Sequence, residues 1–371
     1  MNVFPGLLAG WLVLGVVVDA GLYRVQCRYL AAGAADSTAR GEGERRAGLR
    51  LAGQVRATGL ALLAVVFAWG TGLLAGERAA VPAGLCLVLA VAGDQVLRAL
   101  VAPGRQRQGR LAAQLRQFAG LLPLGAALWG VAVVSPDVLV PWLWAAGWLV
   151  LAGVWRAYQS LSPAGEAPGG ALTDTALVER LRDLAAACGR PRCAITVADQ
   201  PPLAEQVGAR VEARGHGGRI VLTQGLVDRL SASAIVAVVA HEFGHACLGH
   251  LMRFDGLRAA LVAVYMVLVA SGLMATTLDA SAPVVLWLIY VTITPAAWAV
   301  RPVLNGYRRG CEFAADAFAA GHVGRRRLAD TLADLFSINP HRAGLHPWYR
   351  FFNATHPLDN ARLDRLYEHP R

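Results

Sequence analysis

The 371-residue chain is 56% hydrophobic and only 16% charged, with a mean hydropathy of +0.44. This excludes an ordinary soluble domain, which is more polar, and several runs approach the roughly 20 apolar residues that cross a bilayer as a helix. The formal charge of +10 is carried by arginines at the ends of apolar runs, which argues against a nucleic-acid partner. Lysine is absent, and with abundant Ala and Gly this points to a GC-rich bacterial genome.

The first expected span runs from about Val3 to Leu22. It has neither the basic lead-in nor the small-residue cleavage pattern of a signal peptide, and Asp19 near its end can reach the interface. A basic loop follows, with Arg24, Arg28, Arg40, Arg45, Arg46, Arg50 and Arg56. Further spans are expected at about Ala57 to Gly76, Ala80 to Val101, Phe118 to Val134 and Val138 to Trp155. Asp94 in the span Ala80 to Val101 has Arg98 one turn on as an ion-pair partner. Trp142, Trp144, Trp148 and Trp155 read as interface anchors. Arginines crowd the first and third loops, so the positive-inside rule puts the N-terminus outside and Arg156 in the cytoplasm.

A Pro/Gly/Ser-rich boundary at Ser160 to Gly170 opens a soluble region. Thr173 or Asp174 caps a helix through Ala187, with Leu177, Leu181 and Leu184 on one side. Cys193 to Ala198 alternates as a strand, and Gly208 to Arg214 pairs with Arg219 to Leu222 as a hairpin whose glycine-rich turn holds His216. An edge of this small sheet can hold an extended peptide, or the sheet can simply support the next helix.

That helix, Ser231 to Met252, contains His241-Glu242-Phe243-Gly244-His245. Residues four apart share a helix face, so His241 and His245 can turn two imidazoles to one ion, with Glu242 near enough to act as general base. Cys247, just beyond, reads as a small buried thiol. None of the six cysteines forms a C-x-x-C pair, and Cys188 and Cys193 fall in a reducing compartment. Two more spans, about Leu257 to Ala275 and Pro283 to Val300, turn outside at Asp279 and return the chain to the side of the histidines. A catalytic site needs a third protein ligand. Glu312 offers a carboxylate, and Asp316, one turn on, can accept from a ligand histidine and fix its tautomer.

The run His241 to His245 with Gly249-His250, then Arg309-x-x-Glu312-Phe313-x-Ala315-Asp316, then His346-Pro347-x-Tyr349 and Thr355-His356-Pro357 with Arg362, resembles the type I CAAX prenyl endopeptidases. Their wider superfamily includes the HtpX-type proteases. The resemblance covers residues 171–371 and implies one zinc per chain on His241, His245 and Glu312, with Glu242 as base and Asp316 behind a ligand. It further implies that His356 and Arg362 stabilise the oxyanion, a large catalytic contribution in general. An Asn that contacts substrate backbone in that family is replaced by Gly208, beside Ala209 and Arg210. His250, His346 and His216 are expected to be structural or solvent-facing.

The expectation is a mainly α integral membrane protein with about seven spans and a cytoplasmic zincin-like α+β catalytic domain. It divides at 1–156 (five spans), 157–255 (sheet and motif helix), 256–303 (hairpin of spans) and 304–371 (third ligand). Its partners are a peptide or membrane-protein substrate and the bilayer of the plasma membrane. A bacterial source would not be expected to prenylate proteins, so quality control or processing of a specific peptide is preferred to CAAX removal, and a farnesylated peptide set against its unprenylated twin separates them. Rival readings are a membrane sensor, disfavoured because no extracellular ligand domain is appended, and an inactive scaffold, disfavoured by an intact Glu242.

Overall fold

The computed structural model describes residues 4–32, 37–70, 140–161, 170–198, 207–214, 217–274, 288–289, 292–338 and 345–368. The spans expected at 80–101 and 118–134, the Asp94–Arg98 pair, the Asp279 turn and His216 lie outside these residues. The chain divides into two compact units.

One unit comprises Met1–Tyr23, Gly48–Gly153 and Arg258–Ala299. Its described parts come from α1 (Phe4–Ala32), α2 (Ser37–Gly70), α3 (Val140–Leu161), α7 (His250–Met274) and a 3₁₀ turn at Ala297–Ala299. Leu12, Ala61 and Ala296 are buried together, with Leu62 and Tyr265 packed against them. Gln54 Nε2 donates to the Pro295 carbonyl at 2.8 Å, and Tyr265 donates to Thr292 at 2.7 Å. Leu7, Val13, Val17, Val264 and Leu268 point outward, the reverse of a soluble helix. Among the described residues, Leu7–Ala32 and His250–Gly272 are long and apolar enough to cross a bilayer.

The expected basic loop is helical on both flanks. Arg24 and Arg28 continue α1, and Arg40, Arg45, Arg46, Arg50 and Arg56 lie on α2. Arg, Ala, Leu and Gln are all strong helix formers, so hydropathy marks where the apolar stretch stops and not where the helix does. Asp19 consequently sits mid-helix and buried.

The other unit comprises Arg24–Ala47, Val154–Leu257 and Val300–Arg371. Asp174 accepts from the Leu177 amide at 3.0 Å and caps α4 (Thr175–Ala187), whose Leu177, Leu181 and Leu184 are buried. Three strands follow: β1 (Arg192–Ala198), β2 (Ala209–Arg214) and β3 (Gly217–Thr223). The sheet order is β1-β3-β2, parallel then antiparallel, so β2 is an edge. Thr223 caps α5 (Gln224–Arg229) and Ser231 caps α6 (Ala232–Cys247), which carries the histidines. Ile220, Leu222, Ile235, Val239, Phe243 and Leu328 form the middle of the core.

The motif helix is shorter than its sequence suggests. It stops at Cys247, Gly249 takes a left-handed turn (φ +64°), and α7 begins at His250. Cys247 at this end is exposed, so the buried-thiol expectation fails. Helices α8 (Arg301–Val323), α9 (Arg325–Ile338), α10 (Pro347–Asn353) and α11 (Asp359–Tyr367) complete the unit. Asn305 and Arg309 on α8 donate to the Phe352 and Ala354 carbonyls, each at 2.7 Å, tying down the end of α10. His346 is structural: its Nδ1 accepts from the Trp348 amide and caps α10.

Candidate metal centre

Helix α8 buries Asn305, Glu312, Ala315, Asp316 and Ala319, the spacing of one helical face. That face meets α6, so Glu312 and Asp316 are turned toward the histidines. Contact between the two helices is close, because a Cβ on Gly244 would lie 2.9 Å from the Ala315 Cα. His241, Glu242, His245, Glu312, His356 and Arg362 then line a single cavity of about 500 Å³.

The two Nε2 atoms of His241 and His245 are 3.1 Å apart. The Glu312 carboxylate is 3.6 Å from the first and 3.7 Å from the second. Tetrahedral zinc with bonds near 2.1 Å separates its ligand atoms by roughly 3.4 Å, so the donor set fits such an ion. His241, His245 and Glu312 could hold a metal on their facing atoms.

On its outer side His241 faces a carboxylate. His241 Nδ1 lies 2.9 Å from Asp316 Oδ1. Burial alone would push the His241 pKa down, but Asp316 and Glu312 outweigh it and raise it to about 9. Asp316 is itself gripped by Arg362, whose Nε donates to Oδ2 at 2.8 Å and whose Nη2 donates to Oδ1 at 2.6 Å. Burial opposes its charge, yet the bonds from Arg362 and His241 hold its carboxyl below the usual range. Glu312 is likewise held well down, with the bonds from His241 and His356 overcoming its desolvation. His356 Nδ1 is 2.9 Å from Glu312 Oε1, at the more open side of the site. Glu242 differs: burial dominates and pushes its carboxyl up. His245 is pushed down to about 4, by burial and then by the charge on His241.

The residues singled out at the strand divide. Gly208 and Ala209 line the cavity, whereas Arg210 is exposed and paired with Glu212 at 2.9 Å. The Gly208 amide donates to Thr223 Oγ1, and its carbonyl accepts from the Thr223 amide and hydroxyl. Both backbone groups of Gly208 are thus turned inward to β3. In an antiparallel ladder, neighbours alternate, so those of Ala209 turn outward. Sequence reasoning missed Thr223, although a Thr between a strand and a helix is a capping signal. It also left His250 as merely structural, whereas that ring sits against His245.

A model of peptidase family M48 matches residues 171–369. This chain belongs to peptidase family M48. The resemblance seen in its motifs is borne out. This M48 chain is 29% identical over 203 residues to the CAAX prenyl protease 1 homolog of Oryza sativa subsp. japonica. That match spans 53% of this chain and 48% of the relative. Its fold is similar to that in the crystal structure of S. mikatae Ste24p, with a TM-score of 0.72 over 98% of each chain at 18% identity.

Proposed function

We propose that the protein is an integral membrane zinc endopeptidase. The observation that carries this reading is the convergence of His241, His245 and Glu312 at ligand spacing, with Glu242 in the same cavity. Zinc in such a site acidifies a water to a pKa near 7 and polarises a carbonyl. Glu242 takes the proton of the attacking water and passes it to the leaving amine; its raised pKa suits it to both steps. His356, at the more open side of the site, donates toward the carbonyl oxygen as charge develops there. Arg362 holds Asp316 through Nε and Nη2, and its Nη1 lies 3.7 Å from Glu312 Oε2 in the same cavity, so it is Nη1 that serves the oxyanion role expected of it.

Substrate enters extended along β2. Ala209 offers the outward backbone groups, and Gly208 leaves room beside them. Val238, Leu328, Leu332 and Leu335 line the cavity beyond and would take an apolar side chain. The arginine distribution and the two long apolar helices support a multi-pass protein with its N-terminus outside and its site on the cytoplasmic face.

The test compares wild-type protein with Glu242→Gln on a farnesylated peptide, on its unprenylated twin, and on cellular protein termini. Glu242→Gln should keep its zinc and lose cleavage; cleavage at the wild-type rate would sink the proposal. Preference for the farnesylated peptide points to prenyl-protein processing, and indifference points to quality control or another peptide.

A further inference from the structure

His245 and His250 face one another through the same atom type, Nδ1 to Nδ1, at 2.9 Å. Their ring centroids are 5.0 Å apart at 74°, and His250 is buried. This contact depends on the break in the helix. On a continuous helix a residue five positions on is rotated by about 140° from the first, so His250 would point away from His245. The left-handed turn at Gly249 restarts the chain and brings the ring back.

The contact decides a proton. If His245 Nε2 gives its lone pair to a metal, its own proton is on Nδ1. That Nδ1–H must then find an acceptor, and the His250 Nδ1 is the atom placed to accept. His250 must keep its proton on Nε2. It cannot be a fourth ligand, because the nitrogen it presents faces the side of His245 away from His241 Nε2.

We propose that His250 is a positioning residue for the metal site, fixing the tautomer and ring plane of His245 as Asp316 does for His241. The two ligand histidines are thus held differently, one by a carboxylate and one by a neutral imidazole. Partners behind a ligand histidine typically alter metal affinity by 10–100-fold. The proposal rests on His245 being a ligand, and the experiment separates the two ideas.

Zinc affinity is measured by chelator competition on the full-length protein, together with the visible spectrum of the cobalt-substituted form. His241→Ala serves as the control for the site itself. His250→Leu should bind zinc about 10–100-fold more weakly than wild type and shift the cobalt bands. His250→Asn, whose amide oxygen can occupy the Nδ1 position, should restore affinity to within about threefold and return the bands. His250→Gln is equally polar but reaches the Nε2 position, and should behave like the Leu variant. The proposal is overturned if His250→Leu binds as wild type does. It is equally overturned if Asn and Gln are indistinguishable, because polarity or bulk alone would then matter. Should wild type and His241→Ala bind zinc alike, the metal reading itself falls, and this one with it.

Discussion

Gly244 and Ala315 meet backbone to backbone, and no side chain fits between them: a Cβ on Gly244 would lie 2.9 Å from the Ala315 Cα and 3.1 Å from its carbonyl oxygen. This contact sets the distance between the helix of the histidines and the helix of Glu312. Gly244→Ala must push the helices apart, since neither obstacle is a flexible side-chain end. Overpacking of this kind costs about 1–3 kcal/mol, and it also spreads the ligands. Melting temperature and zinc content should both fall. Gly256→Ala is the control, because nothing lies within 4 Å of a Cβ there, and a helical Gly→Ala change stabilises by about 0.5–1 kcal/mol.

The Asp316–Arg362 pair is buried on both sides, at 3% and 5% exposure. Removing one partner of such a pair typically costs about 3–5 kcal/mol. Arg362→Lys should recover little, since a single ammonium cannot replace a two-point guanidinium contact. Chemical denaturation of Arg362→Lys, Asp316→Asn and the double variant should give a double-variant cost well below the sum of the singles.

Metal-free protein should show its own pH profile. His241 has a folded pKa raised to about 9 from 6.5. Protonation therefore favours the fold, and the stabilisation is complete below 6.5 and lost as pH rises through about 9. Asp316 is shifted the other way, below 3.8, so its contribution is present above that value and disappears as pH falls. His245, pushed down to about 4, resists protonation in the fold and takes stability away as pH drops from 6.5 toward 4, so denaturation midpoints after chelation should be highest near pH 6.5 and fall on both sides. With zinc restored the alkaline loss should vanish, because the metal requires His241 to be unprotonated at the ligating nitrogen.

Thr223 serves two elements at once, holding Gly208 and capping α5 through the Leu226 amide at 3.3 Å. Thr223→Val should cost about 1–2 kcal/mol, as cap losses do. If β2 holds the substrate, KM should rise more than kcat falls. An unchanged KM would remove β2 from the substrate path.

The sequence announced the site more fully than its surroundings. His241, Glu242 and His245 are local and were legible from helical spacing, and Glu312 and Asp316 from a second motif at the right interval. Arg362 was singled out without its grip on Asp316, because a pairing 46 residues away leaves no periodic signal. His250 was discounted for a conformational reason: its place depends on one left-handed glycine inside what reads as an unbroken helix. The basic loop was misjudged because arginine is both a mark of the membrane edge and a good helix former.

The clasp of Arg362 on Asp316 also has a meaning in time. During translation both histidines and Glu312 emerge first, and the arginine that steadies Asp316 follows 46 residues behind that carboxylate. A nascent chain thus possesses the ligands before it possesses their orientation. The two-point grip on Asp316 is complete only once α11 is in place against α8.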